Sequence, residues 1–127
     1  MENKEIGDIG EKAAQKYLEN KKYQTIENNY RQVWGELDII MKDPKGVLVF
    51  VEVKTLVQNN FDDIKPEDNM TAAKIIKLKR AANFYALKND ELIDENFGWR
   101  IDMVAIEIPQ GEIYHPEKFL IRHYENI

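Results

Sequence analysis

Two apolar runs that face each other across a turn constrain this sequence more than any other feature. Residues 36–42 read as a strand around Leu37, Ile39 and Ile40. Asp43-Pro44-Lys45-Gly46 has the chemistry of a turn. Residues 47–55 form a second strand, nearly continuous in apolar side chains until Glu52. The pattern predicts a β-hairpin in which Ile40 faces Phe50 and Asp38 faces Glu52 or its immediate neighbour.

The remaining elements follow from periodicity. Residues 5–20 read as a helix, with Ile6, Ile9, Ala13 and Tyr17 on one side. Gly7, Glu11, Ala14 and Leu18 form an adjacent flank. A first strand covers 23–31, with an irregular end at Asn28-Asn29. Residues 56–70, rich in Asn and Asp and carrying Pro66, read as a long mobile loop of the kind that forms lids or binding segments. Thr71 caps a second helix running to about Lys88, with Ile75, Leu78, Ala82 and Tyr85 as its buried stripe. Residues 100–108 form a further strand and 112–115 a short one; 116–124 reads as strand or short helix. The order α-β-β-β-α-β, with a right-handed crossover, predicts one α/β domain over residues 1–127. Its sheet is mixed, antiparallel at the hairpin and parallel beyond it, with helices packed on it.

Composition removes several classes of chemistry. There is no Cys, so thiolate metal sites, Cys nucleophiles and disulfides are out. Two His leave no room for a multi-histidine zinc centre. No apolar run reaches the ~20 residues of a membrane span, and no hydrophobic stretch follows Met1 as in a leader, so a cytoplasmic protein without a membrane partner is expected. The net charge of −5 argues against a generic nucleic-acid coat but permits a local basic site.

The hairpin carries the chemistry. Alternation puts Glu52 and Lys54 on the face of Leu48 and Phe50, and Asp38 across from them. Two carboxylates facing each other in an apolar ribbon are destabilising unless something offsets them. A divalent cation with oxygen ligands does so. Mg²⁺ needs only one or two protein carboxylates and keeps several waters. Such a site suits phosphodiester hydrolysis, with the lysine orienting the attacking group or stabilising phosphate charge. The alternative is a salt bridge at the sheet edge, with Lys54 neutralising Glu52 and Asp38 solvated.

The ordered motifs Gly10-Glu11, Asn29-Tyr30-Arg31, Gly35-Glu36-Leu37-Asp38-Ile39-Ile40 and Val49-Phe50-Val51-Glu52-Val53-Lys54-Thr55 resemble the YraN-like family of small bacterial proteins. Lys74 ahead of Ala81-Ala82, and Arg100-Ile101-Asp102-Met103-Val104-Ala105-Ile106, continue the resemblance to about residue 120. The family is similar to the PD-(D/E)XK, or restriction-endonuclease-like, superfamily and within it to archaeal Holliday-junction resolvases. The resemblance implies that superfamily's α-β-β-β-α-β core. It also implies Asp38 and Glu52 as ligands of Mg²⁺ or Mn²⁺, the Val53 carbonyl as a third ligand, Lys54 as the catalytic lysine and Glu11 as a helix-borne acid at the metal site. Leu37 stands where the motif name has Pro, and Leu56 where the family often has Arg.

The helix over 71–88 holds Lys74, Lys77, Lys79, Arg80 and Lys88 and no acid. Lys74, Lys77 and Arg80 form a candidate phosphate-binding stripe, against a merely solvated face. Arg31 and Trp34 are candidates to touch a phosphate and a base, with packing or a lid as the commoner role for such a tryptophan. Arg100 and Asp102 read as a structural ion pair, and His115 and His123 as surface or sheet-edge residues. Asp62, Asp63, Glu67 and Asp68 read as a solvated loop. Taken together these features predict a Mg²⁺- or Mn²⁺-dependent endonuclease acting on DNA, with branched DNA and a homodimer by analogy with resolvases. The alternative is a non-catalytic nucleic-acid-binding or protein-interaction module on the same scaffold; a weaker one is hydrolysis of RNA or another phosphate ester.

Overall fold

The structure, a computed structural model, describes residues 3–127. Helix α1 (Asn3–Asn20) leads into strands β1 (Gln24–Gln32), β2 (Gly35–Lys42) and β3 (Leu48–Val57). Helix α2 (Ala72–Lys88) then crosses to β4 (Trp99–Ile108), and β5 (Leu120–Tyr124) closes the sheet. The five strands lie in the order β1-β2-β3-β4-β5. β3 and β4 are parallel, and every other neighbouring pair is antiparallel. This is the α/β fold expected, a mixed sheet flanked by two helices with a restriction-endonuclease-like core.

The alternation in β2 and β3 produces two cores, one on each face of the sheet. Ile39, Met41, Val49, Val51 and Val53 pack with Ala14 and Leu18 of α1. Ile40, Leu48 and Phe50 pack with Leu78, Ala82 and Tyr85 of α2. Strands with both faces covered read as continuous apolar runs, as β3 does as far as Val51. The hairpin register is the one counted from the turn, with Ile40 opposite Phe50. Thr71 caps α2, accepting from the Lys74 N–H.

Several expectations need correction. The buried line of α1 is Gly10, Ala14 and Leu18, not the Ile6–Tyr17 set, whose members are only partly buried. Helix α1 turns this way because Gly10 lets it sit very close to β3. A Cβ on Gly10 would lie 1.8 Å from Thr55 Oγ1, whereas nothing lies within 4 Å of one on Gly7. β1 runs on through Asn28-Asn29 to Gln32 with Asn29 at φ 51°, so its irregularity is internal. Residues 112–115 form turns rather than a strand, and 116–124 holds both a 3₁₀ turn (Pro116–Lys118) and β5. Within 56–70, Leu56 and Val57 extend β3, and Pro66–Asn69 is a 3₁₀ helix. Glu67 there is held by Arg122 and by the Tyr124 hydroxyl, so it is not a solvated loop acid.

His123 does lie on the sheet edge, in β5, but its ring is buried instead of facing solvent. Its side chain is 4% exposed, and Nε2 lies 2.8 Å from Oδ2 of the fully buried Asp102. Arg100 donates to Asp102, to Asp43 and to the Tyr23 hydroxyl, and Asn126 N–H donates to Asp102. Burial alone would raise the Asp102 carboxyl. The bonds from His123, Arg100 and Asn126 outweigh it and hold the group below its usual range. The expected Arg100–Asp102 ion pair is thus the centre of a buried network that ties the hairpin turn to the C-terminal strand. His115 is exposed and pairs with Glu117.

Candidate metal and nucleic-acid site

The site forms where the β2–β3 ladder ends. Its last pair is Ile39 with Val51. Beyond it the Val53 N–H donates to the Asp38 carboxylate at 3.0 Å instead of to a β2 carbonyl. The N–H and C=O of one strand residue point to the same side, so the Val53 carbonyl also faces this opening. Strand parity slips at the same level. Leu37 and Ile40, three residues apart, both pack on the α2 face. On β1, Glu27 and Tyr30 both reach Tyr85 across the left-handed Asn29. Asn tolerates that conformation better than most residues. This local break in alternation sets Asp38 at the rim instead of in the core.

Glu52 and Lys54 project from β3 on the α2 face, as the alternation requires. The Lys54 ammonium stands 3.9 Å from Glu52 Oε1, with side-chain exposures of 23% and 14%. Asp38 and Glu52 line the same cleft, close enough for Asp38 to act on the Glu52 carboxyl. Burial and then Asp38 push the Glu52 carboxyl up to about 9, and Lys54 only partly opposes them. Glu11 is pushed up to about 7 by burial and then by Asp38, with Arg31 opposing. Burial together with the Asp38 charge thus disfavours ionisation of both acids.

The donor set fits a hard divalent cation. Asp38, Glu52 and the Val53 carbonyl are oxygen donors on one rim, and Mg²⁺ held there would complete its shell with water. Among the described residues, no three of His, Cys, Asp and Glu stand close enough to form a cage by themselves. Glu11 therefore stands outside the Asp38–Glu52 pair and acts on it through space. It comes from the opposite face of the sheet, delivered by the Gly10 contact with Thr55. The Thr55 hydroxyl at that contact is buried without a partner.

Asp38, Glu52 and Lys54 line a cleft of about 530 Å³, together with Trp34, Gly35 and Glu36 and with Lys74, Lys77 and Arg80 of α2. The helix cations proposed from sequence therefore share the cavity of the acids. Arg31 does not. It pairs with Glu36 at 2.5 Å and is half exposed.

Over residues 10–106 the chain matches the uncharacterised protein family UPF0102. The chain belongs to that family. Its UPF0102 relatives include a protein from Alkaliphilus oremlandii, 34% identical over 98% of this chain and 97% of the relative. One from Dictyoglomus turgidum is 36% identical over 92% and 95%. A third, from Photobacterium profundum, is 36% identical over 89% and 87%. The match spans Glu11, Asp38, Glu52, Lys54 and the cations of α2, so the UPF0102 region contains the whole candidate site. No helix among the described residues is long and apolar enough to cross a membrane.

Proposed function

We propose that this UPF0102 protein hydrolyses phosphodiester bonds of nucleic acid, with DNA the favoured substrate and Mg²⁺ or Mn²⁺ the cofactor. One observation carries the reading: Asp38 and Glu52, with Lys54 3.9 Å from Glu52, line the same cleft as Lys74, Lys77 and Arg80. Asp38, Glu52 and the Val53 carbonyl would hold the cation, which would supply Lewis acidity at a phosphoryl oxygen and acidify a bound water. Water oxygen bonds to phosphorus and a phosphorus–ester oxygen bond breaks, with one proton passing to the departing oxygen. Lys54 donates to a non-bridging oxygen as charge builds there. Glu11, outside the pair and on the α1 side, acts on it through its charge. Lys74, Lys77 and Arg80 take flanking phosphates and position the strand. Symmetric cuts in branched DNA would require a two-fold dimer.

Leu56 after Thr55 favours a second reading, a nucleic-acid-binding module without turnover. Labelled DNA and RNA structures incubated with Mg²⁺ or Mn²⁺ separate the two, with Lys54→Ala run in parallel. Turnover by wild type and none by the folded variant supports hydrolysis. Equal cleavage by both identifies a contaminating nuclease, and binding without cleavage supports the module.

A further inference from the structure

We infer that the Val33-Trp34 tip of the β1–β2 hairpin is a wedge against nucleobases, so that the cleft takes nucleic acid with an unpaired or unstacked nucleotide in preference to unbroken duplex. The inference rests on the nucleic-acid reading above and narrows its substrate class. It starts from an apolar pair at the tip of a two-residue hairpin loop. Gln32 pairs with Gly35, so Val33 and Trp34 alone make the loop. Two-residue hairpin loops favour types I′ and II′, which need positive φ and therefore Asn, Asp or Gly. Neither Val33 nor Trp34 has a positive φ, so this turn is of neither primed type and its backbone accepts an apolar pair. A β-branched side chain and an indole supply none of the local hydrogen bonds that Asn, Asp or Ser give a turn. Val33 gains no burial there, and an apolar side chain left at a tip with no gain in folding points to function.

The surroundings indicate which function. Val33 is fully exposed at the tip. Trp34 is braced behind it, with ring centroids 5.0 Å from Phe84 and 5.7 Å from Tyr30. The Lys88 ammonium lies 5.7 Å from the Trp34 centroid. Gly35 presses the tip onto α2, because a Cβ there would lie 2.7 Å from that of Ala81. The tip is therefore rigidly supported. Trp34 and Gly35 line the same cleft as Asp38, Glu52 and Lys54, with Lys74, Lys77 and Arg80 along it. An exposed aliphatic group backed by aromatics, beside cations for phosphate, is suited to part stacked bases. Aromatic rings then accept a freed base whatever its sequence. Unbroken duplex must first be unstacked, whereas a gap or flap offers a base already free and a four-way junction, though paired throughout, interrupts stacking at its branch point.

The test uses four labelled DNAs of shared sequence: duplex, gapped, flapped and four-way junction. Anisotropy is read with Ca²⁺ in place of Mg²⁺. Wild type should bind the three interrupted forms about tenfold tighter than duplex, the size of one base stack. Val33→Ser removes a side chain that is fully exposed, so it should melt like wild type. It should reduce the preference at least threefold and leave duplex affinity unchanged. Val33→Ser/Trp34→Ala should abolish the preference; if that variant does not fold, Val33→Ser alone decides. Equal wild-type affinity for all four DNAs, or an undiminished preference in the folded variants, overturns the wedge. So does a tip that captures protein while DNA selectivity stays intact. Duplex cleaved as fast as junction, with Asp38-dependent metal binding, would remove the wedge and leave the hydrolase reading standing. Loss of all nucleic-acid binding by wild type would end both.

Discussion

Replacing Glu52 by glutamine should stabilise the metal-free protein at alkaline pH. The Glu52 carboxyl has an ordinary value of 4.5, and burial followed by Asp38 pushes it to about 9 in the fold. Between those values the native chain holds a proton that the unfolded chain has released. Stability must then fall as pH rises from about 4.5 towards about 9. The slope is about 1.4 kcal/mol per pH unit, so the ceiling at pH 8 is about 5 kcal/mol. Glu52 sits in a cleft wall with 14% of its side chain exposed, and water there restores part of the lost hydration. We expect Glu52→Gln to recover about 2 kcal/mol at pH 8, or roughly 6–10 °C in Tm for a chain of this length. The amide keeps the shape and can donate to Asp38. The assay is thermal unfolding in EDTA at pH 5 and pH 8, with Mn²⁺ added in parallel. The difference should nearly vanish at pH 5, and Mn²⁺ should raise the Tm of wild type alone. A Glu52→Gln variant that melts at or below wild type at pH 8, or a difference that ignores pH, would refute the reasoning.

Three other outcomes follow from named contacts. Gly10→Ala forces a methyl group against Thr55 and should cost about 1–3 kcal/mol in denaturant unfolding; an unchanged midpoint would mean that α1 lies farther from β3. Asp102→Asn breaks the buried bridge to Arg100 and His123 and should cost about 3 kcal/mol or more. Its guanidinium-chloride midpoint should fall accordingly, and a midpoint within error of wild type would contradict the network. Lys74→Ala/Lys77→Ala should weaken duplex binding and lower the slope of log K against log salt by about two; an unchanged slope would take both lysines off the phosphates.

Much of this was legible in the sequence because the central hairpin is specified twice. Asp43-Pro44-Lys45-Gly46 places the turn, and the paired apolar residues Ile39-Ile40 and Val49-Phe50 require cover on both faces. Register followed from these, and with it the shared face of Glu52 and Lys54. What stayed hidden depends on approach between distant segments. The rotation of α1 rests on one close contact, Gly10 on Thr55, that no periodicity reports. His123 looked peripheral because only the fold brings residues 43, 100, 102 and 123 into one buried network. The slip in alternation at Asn29 and Asp38 is equally tertiary: it breaks the strand pattern at the position where Asp38 reaches the rim. Arg31 stands outside the cleft lining for a simpler reason, since Glu36 lies opposite it across the β1–β2 ladder and pairs with it.

The central claim is that Asp38 and Glu52 stand together because a divalent cation belongs between them. Calorimetric titration of the protein with Mn²⁺ at pH 7.5, in two buffers of different ionisation heat, tests it most directly. The account predicts one ion per chain, about one proton released as Glu52 ionises, and no binding heat in Asp38→Ala. No heat with wild type, or identical isotherms for wild type and Asp38→Ala, would contradict it.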